Sequence, residues 1–426
     1  METFNKVWKN IDLRKRILFT LMILVVYRLG SFIPVPGINT AVLESTMDIG
    51  ILSFIDALSG GALKRFSLFA LSIGPYITAS IVVQLLQMDV VPVLSEWAKE
   101  GETGKQKLNQ LTRYLSLGLA FIQAITIAIG FNVMSGGVLL LSRSPLIYLY
   151  IAIAMTAGTA ILLFLGDQIT SKGIGNGISL IITAGIVSRI PLMLRDVYTY
   201  FLVDLSFLNV LAALSILVLI ILTTVGVIYL QSATRKLPIQ YANRHNAAYL
   251  AGQKDSFIPF KLNSAGVIPV IFASSLASLP LTVASFFPEA RASEILGAIF
   301  DFRQPGGFAL YVALIIAFTF FYSFIQVNPE KIAENLKKQG SYVPGVRPGV
   351  DTEKYLSKIL MRVTFVGAIY LAVIASLPIL LGIFTNIPQS VEIGGTGVLI
   401  LVGVAMETAK QIETKTQDQS YRGFIK

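Results

Sequence analysis

The interrupted apolar stretch over residues 51–87 is the sequence feature that most constrains the fold. Residues 51–58 are apolar but too few to cross a bilayer, because a spanning helix needs roughly 20 apolar residues. A Ser-Gly-Gly break at 59–61 follows, and the second apolar run, 67–87, is long enough to span. Non-helical backbone at membrane depth is tolerated only where protein or water surrounds it. The pattern therefore predicts either a re-entrant segment or a small helix held inside a protein cavity, ahead of a true span, and it indicates a pore or a binding cavity.

The composition is that of a polytopic membrane protein. Only 14% of the 426 residues are charged and 54% are hydrophobic, whereas soluble domains carry about 25% charged residues. Apolar runs predict ten transmembrane spans, an even number that places both termini on one side of the membrane. The predicted spans cover residues 17–36, 67–87, 111–131, 146–166, 174–194, 206–230, 263–287, 308–327, 359–384 and 395–412.

Basic residues are distributed unequally between the two sides of these spans. The N-terminal segment, the connections after even-numbered spans and the C-terminal segment together hold 26 of the 34 Lys and Arg residues. Cytoplasmic loops carry an excess of Lys and Arg, so this side, with both termini, is predicted to be cytoplasmic. The formal net charge of +10 is therefore mostly a topology signal, although a basic cytoplasmic face also suits a ribosome.

Two predicted cytoplasmic loops are longer than a simple connection requires. Residues 231–262 and 328–358 each run for about thirty residues, compared with roughly 4–6 in a typical connection. Both combine charged residues with Pro and Gly, which pre-set turns. Because ordered loops on a rigid scaffold usually carry function, we predict that both loops dock a partner. The candidate docking residues are Arg235, Lys236 and Arg347, and the arginine side chain suits carboxylate or phosphate groups.

Residues suited to catalysis or ion coupling are scarce. The chain has no Cys, one His and no G-x-x-x-x-G-K-[ST] phosphate-binding motif. We therefore expect neither an enzyme nor a resident metal or cofactor. The ionisable residues in or beside the spans lie near span ends and suggest no buried pair, which argues against ion coupling. They are Arg28, Asp89, Asp167 and Glu407.

The residues alone leave two classes of function open. Pro75, Pro191, Pro269 and Pro378 predict kinked helices around a cavity. A secondary transporter of small solutes would use that cavity as a polar site near the middle of the membrane. A channel for polypeptides would instead carry an apolar constriction there, which can close by excluding water.

Six motifs, in order, resemble the SecY family of bacterial translocon channels, and the resemblance covers essentially the whole chain. A single Gly-rich string would be weak, but six in the same order on ten predicted spans form a specific signal. The motifs are SFIPVPG at 31–37, GPYITASI at 74–81, GIGNGIS at 173–179, AGVIP at 265–269, VPGVRPG at 343–349 and GGT at 394–396.

The resemblance implies an all-α membrane protein with ten transmembrane helices in two pseudo-symmetric five-helix halves around a central hourglass pore. The halves would be residues 1–200, with spans 1–5, and 201–426, with spans 6–10. A short plug helix would lie at about 51–66. The implied function is that of a protein translocase channel, which conducts unfolded secretory polypeptides and releases apolar segments sideways into lipid.

Family members close the pore with a ring of mostly isoleucine side chains, and they open sideways between spans 2–3 and 7–8. Matching positions imply a pore ring of Ile77, Ile81, Ile178, Ile182, Ile271 and Ile400. The implied plug and hinge residues are Ile55, Ser59, Gly60 and Gly61, since glycine permits the backbone change that a hinge needs. The implied lateral-gate residues are Gln84, Ser274, Ser275 and Ser278.

The resemblance also implies a location and a set of partners. The location is the bacterial cytoplasmic membrane, with multiple spans and cytoplasmic termini. The expected partners are SecE-like and SecG-like small membrane subunits, the SecA ATPase, the ribosome, secretory polypeptides with signal sequences, and membrane lipid. Because the chain lacks a nucleotide-binding motif, it would act as a passive channel driven by the ATPase or the ribosome.

Overall fold

Helices make up most of the chain. The computed structural model describes residues 10–39, 56, 59–88, 90–140, 144–203, 207–241, 257–285, 291–385 and 389–422, so Ile55 and Asp89 lie outside the described residues. The first seven helices are α1 (Ile11–Gly30), α2 (Gly74–Leu86), α3 (Pro92–Lys99), α4 (Glu102–Met134), α5 (Pro145–Lys172), α6 (Gly177–Val187) and α7 (Ile190–Val197). The others are α8 (Phe207–Ser232), α9 (Ile268–Ser285), α10 (Arg291–Phe300), α11 (Pro305–Gln326), α12 (Pro329–Lys338), α13 (Val350–Thr385) and α14 (Gln389–Arg422).

Each of the ten predicted spans overlaps a helix. Helices α4, α5, α8, α11 and α13 are long and apolar enough to cross a bilayer, as is the stretch Gly177–Phe201 that contains α6 and α7. The apolar helices α2 and α9 are shorter. The chain is therefore a helical membrane protein, while the count of ten crossings stays a prediction.

The predicted span 67–87 is wrong at its start, because α2 begins only at Gly74. Residues 59–73 instead form a succession of turns whose side chains are mostly buried. Pro75 lies in the first turn of α2, where backbone N–H groups have no hydrogen-bond partner within the helix, so proline is tolerated. The connection between the break at 59–61 and the helix is thus non-helical and enclosed by protein.

Backbone hydrogen bonds explain why this connection is not helical. The Val35 N–H donates to the carbonyl oxygen of Phe66 at 3.0 Å, and the Leu68 N–H donates to that of Ile33 at 2.9 Å. These bonds use donors and acceptors that a helix would otherwise pair internally. The segment that follows α1 therefore satisfies the backbone of the connection.

Two of the four predicted proline kinks are wrong, because Pro75 and Pro269 lie in the first turns of α2 and α9, where proline is tolerated without a bend. Pro191 follows the break between α6 and α7, so the predicted span 174–194 is interrupted beside it. Pro378 lies inside α13, and Pro280, which was not predicted as a kink, lies inside α9. An interior proline removes a helical hydrogen bond, so these two positions favour bending within a helix.

The all-α prediction is incomplete, because the two long loops contain short strands. They are β1 (Thr234–Pro238), β2 (Gln240–Tyr241), β3 (Phe257–Lys261) and β4 (Ser341–Tyr342). Strand β1 pairs with β3 in antiparallel fashion within the first loop. Strand β2 pairs with β4 in the second loop, with Gln240 opposite Tyr342. Both loops are therefore folded, and they are joined to each other.

Helices of the two predicted halves meet along two seams. At the front seam, α2 contacts α9, and at the rear seam, α6 and α7 contact α14. The rear seam is close, because a Cβ on Gly397 would lie 2.8 Å from Ile186 Cγ2. It also contains a polar contact, in which the Gly175 N–H donates to Gln411 Oε1 at 3.0 Å. A large hydrophobic cluster lies between the two seams.

Replacing Gly158 by Ala tests how tightly α5 encloses the non-helical connection. A Cβ at Gly158 would lie 1.9 Å from the carbonyl oxygen of Leu68, so the substitution forces the backbone apart. We expect Gly158→Ala to destabilise the protein by about 1–3 kcal/mol and to lower its unfolding temperature in detergent. The matched control is Gly118→Ala on α4, where a Cβ would meet no atom within 4 Å. Equal unfolding temperatures for the two variants would contradict this packing.

Candidate functional site

The six predicted pore-ring residues are brought together in one hydrophobic cluster, although they come from four helices. We call this set the isoleucine collar. Five of its members are buried to 6% exposure or less, and Ile178 is partly buried against the same cluster. The collar residues are Ile77 and Ile81 of α2, Ile178 and Ile182 of α6, Ile271 of α9 and Ile400 of α14.

The position of the collar follows from helix geometry. Ile77 and Ile81 are four residues apart and therefore lie on one face of α2. That face is directed into the molecule, because Ile77 and Ile81 are 6% and 3% exposed, whereas the next residue, Val82, is 39% exposed. Ile178 differs from the other members, since its Cγ1 would lie 3.3 Å from a Cβ on Gly166 of α5. It therefore packs against α5 at the edge of the collar.

A loop packed against α1 and α6 contains the predicted plug and hinge residues that the structure describes, which are Ser59, Gly60 and Gly61. We define the outer loop as Asp56 together with residues 59–64. The Ser59 hydroxyl donates to the carbonyl oxygen of Asp56 at 2.9 Å, and the Gly61 N–H donates to the same oxygen at the same distance. These bonds close a compact turn.

Glycine is required at the centre of the outer loop. Gly60 and Gly61 have φ angles of +69° and +86°, which L side chains rarely adopt. A Cβ on Gly60 would also lie 3.0 Å from the Cα of Gly185 in α6. The glycines thus allow both the turn and its close approach to α6.

An ion pair that the sequence analysis missed holds this loop. Arg189 Nη1 donates to Asp56 Oδ2, and the side chains of Asp56 and Arg189 are only 1% and 16% exposed. Neither residue is among the four ionisable residues singled out near span ends, which are Arg28, Asp89, Asp167 and Glu407. The available signal was Asp56 itself, which is the one acidic residue in the apolar run 51–58.

A second ion pair connects the predicted third and fourth spans. Arg113 Nη2 of α4 lies 2.6 Å from Asp167 Oδ2 of α5. Both side chains are about half exposed, at 52% and 43%. Exposed pairs contribute little stability, so this pair is a surface contact between two helix ends and does not form a buried ionic site.

The predicted lateral-gate residues divide into two groups. A side cavity of about 180 Å³ lies between α2, α4 and α9, and Ser275 and Ser278 line it. Gln84 and Ser274 are not among the lining residues. Instead, Gln84 Nε2 donates to Ser80 Oγ at 2.9 Å, and the Ser274 hydroxyl donates to the Val270 carbonyl oxygen at 2.8 Å.

The side cavity is apolar and adjoins the collar. Ile77 and Ile182 contribute to its lining, together with Ile122 and Ile127 of α4 and Leu279 of α9. An apolar wall with a few hydroxyl groups suits hydrophobic side chains rather than ions. The cavity therefore connects the collar region with the front seam.

The predicted docking residues lie on the surface of the joined loops. Arg235 and Lys236 lie on β1 and Arg347 lies in the turn after β4, and all three are exposed. The Lys236 ammonium lies 4.8 Å from the centre of the Phe257 ring on β3. The Arg347 carbonyl oxygen accepts a hydrogen bond of 2.8 Å from the Thr352 hydroxyl. The joined loops therefore present cations on a fixed framework.

Fold and site together define a class of protein: a helical membrane protein with a buried aliphatic cluster between two seams and an apolar cavity beside one of them. A sequence model of the SecY family matches residues 67–409. The protein translocase subunit SecY of Bacillus licheniformis is 51% identical over 418 residues, which cover 97% of this chain and 97% of that protein. The chain belongs to the SecY family.

Solved structures show the same fold. A SecY structure, whose plug domain is described as stabilising the closed state of the translocation channel, matches with a TM-score of 0.63 at 19% identity. Sec61 in the canine ribosome–channel complex matches with a TM-score of 0.59 at 18% identity. Each match covers 95% of this chain and 93% of the other chain.

Proposed function

We infer that this chain is the channel subunit of a protein translocase and that unfolded secretory polypeptides pass through it. The observation that carries this inference is the isoleucine collar, which draws its side chains from α2, α6, α9 and α14 between the two seams. Residues 1–200 and 201–426 then act as two halves that separate to widen the path.

The collar provides a closure that needs no specific recognition of the cargo. A polypeptide in transit exposes unpaired N–H and C=O groups, each of which costs several kcal/mol in hydrocarbon, so the path must be wet along most of its length. A narrow apolar ring excludes water and ions at rest. Branched aliphatic side chains also fit around any passing side chain without demanding a polar partner.

The same collar disfavours the transporter alternative. A secondary transporter would hold its solute at a polar site near the middle of the membrane. Instead, α2, α6, α9 and α14 contribute the six collar isoleucines to one shared buried cluster. We also propose that the chain is a passive channel, with the driving energy supplied by a partner.

The region of the plug, residues 51–66, would close the outer side of the collar at rest. Only part of it lies within the described residues, and there Gly60 and Gly61 have the backbone freedom of a hinge. Lys64 and Arg65 lie on the outer side, contrary to the usual bias of basic residues. A segment folded into a wet funnel need not follow that bias.

Sideways release would occur across the front seam, where α2 contacts α9. The side cavity, with Ser275 and Ser278, gives an apolar segment of the cargo a place next to the collar. Gln84 and Ser274 would act by letting the seam helices slide. Partitioning then selects the cargo, since a charged residue at the centre of a membrane helix costs roughly 2.5–3.5 kcal/mol.

The cationic surface of the joined loops would receive the driving partner, which is the SecA ATPase or a ribosome. Arg235, Lys236 and Arg347 are the proposed contacts, and similarity to Sec61 in a ribosome–channel complex supports the ribosome as one occupant. SecE-like and SecG-like subunits would complete the channel in the bacterial cytoplasmic membrane. Both termini would be cytoplasmic, as the distribution of basic residues predicts.

Cysteine crosslinking tests the path of the cargo, because the chain contains no cysteine of its own. A stalled secretory precursor should crosslink to the Ile81→Cys and Ile271→Cys variants, since both positions are buried in the collar. Matched controls are Val82→Cys and Leu276→Cys on the same helices, which are 39% and 36% exposed away from it. Equal crosslinking at the control and collar positions would contradict the proposal that the cargo passes through the collar.

Charge reversal at Arg347 tests partner docking. We expect Arg347→Glu to reduce SecA-driven import of a precursor into membrane vesicles by about tenfold, which corresponds to losing ~1.4 kcal/mol of interfacial attraction. The unfolding temperature should not change, because the side chain is exposed. Arg195→Glu, an equal charge change at an exposed position on the opposite predicted side, is the control. Unimpaired import by the Arg347 variant would refute this docking role.

A further inference from the structure

The Asp56–Arg189 ion pair is buried on the outer side of the collar, where an unpaired charge is costly. The side chain of Asp56 is 1% exposed, and its second oxygen, Oδ1, accepts a 2.8 Å hydrogen bond from the Lys64 N–H. Both carboxylate oxygens are thus engaged, one within the outer loop and one with Arg189. Arg189 lies at the break between α6 and α7, where it can face the loop.

Further polar contacts join the outer loop to α1 and to the break between α6 and α7. The Tyr27 hydroxyl of α1 donates to the carbonyl oxygen of Ser59 at 3.2 Å. Arg28 Nη1 donates to the carbonyl oxygen of Gly60 at 2.6 Å, and the Ser188 hydroxyl contacts the same oxygen at 3.5 Å. The loop is therefore held between the end of α1 and the break after α6.

Apolar packing within the loop and just after it involves the same part of the chain. Leu63 and Phe66 belong to a buried cluster formed with α4 and α5, in which the Phe66 and Phe131 rings meet edge to face at 5.8 Å. Within the described residues, these contacts and the polar contacts of the loop all lie in residues 1–200. None of them crosses the front seam between α2 and α9.

We propose that Arg189 is a positioning residue that latches the outer loop onto the N-terminal half through Asp56. It follows that the latch releases in a step separate from the opening of the front seam, because the contacts of the loop among the described residues lie on one side of that seam. Removing one partner leaves the other charge buried and uncompensated, so either single variant weakens the latched state. The functional meaning of this step rests on the proposed channel function.

Thiol labelling in spheroplasts measures the latch directly, without any translocating cargo, so its failure is distinguishable from failure of the channel assignment. Ala62 is fully buried, and the chain contains no cysteine, so a cysteine introduced at this position is the single thiol. The Ala62→Cys variant should therefore react slowly with a membrane-impermeant maleimide added outside. We expect Arg189→Gln and Asp56→Asn each to accelerate this labelling about tenfold or more, and Arg195→Gln, at an exposed arginine nearby, to leave it unchanged.

A double-variant cycle separates the ion pair from general loosening. If the two residues act through each other, Asp56→Asn combined with Arg189→Gln labels no faster than the faster single variant. Multiplied accelerations would show independent effects and overturn the latch, as would unchanged labelling in both single variants.

Clamping the front seam tests whether the two steps are separate. A photocrosslinking benzoylphenylalanine in place of Thr78, which lines the side cavity opposite α9, can join α2 to α9 on illumination. Accelerated labelling in Arg189→Gln should persist after illumination. Loss of the acceleration in the clamped protein would show that seam opening and loop release are one event, and would overturn the proposal.

Discussion

The pairing of backbone polar groups away from water is the constraint on which the rest of this structure depends. Residues 59–73 are not helical, yet they lie among the predicted membrane spans. They are tolerated because Ile33 and Val35 supply backbone partners and because α4 and α5 enclose them with apolar side chains. This arrangement shortens α2 and puts a loop where the sequence predicted the first turns of a helix.

Closure and mobility are divided between different kinds of contact. In the proposed channel, the collar would close through aliphatic side chains, which make many weak, non-directional contacts and can therefore re-form after each passage. The outer loop is held by an ion pair and hydrogen bonds, which are directional and hold one geometry. The rear seam is close at Gly397 and polar at Gly175, whereas the front seam has an apolar cavity beside it. This difference favours the front seam as the side that opens.

The helical membrane architecture could be predicted from the sequence, because apolar length locates membrane helices. The collar positions followed from motif resemblance, and they come together in one cluster. The late start of α2 and the strands in the loops could not be predicted, because they depend on pairing between distant segments. The same holds for Asp56 and Arg189, which are 133 residues apart. No local pattern encodes such a partner.

The pairing of β2 with β4 has a mechanical consequence. It joins two loops about one hundred residues apart in the chain, and the Tyr342 hydroxyl reinforces it by donating to Gln240 Oε1 at 3.1 Å. The first loop leads into α9 at the front seam, and the second leads into α13. A force applied to either loop is therefore transmitted to the other. A motor that binds one of the joined loops would then tilt several helices of the predicted C-terminal half together.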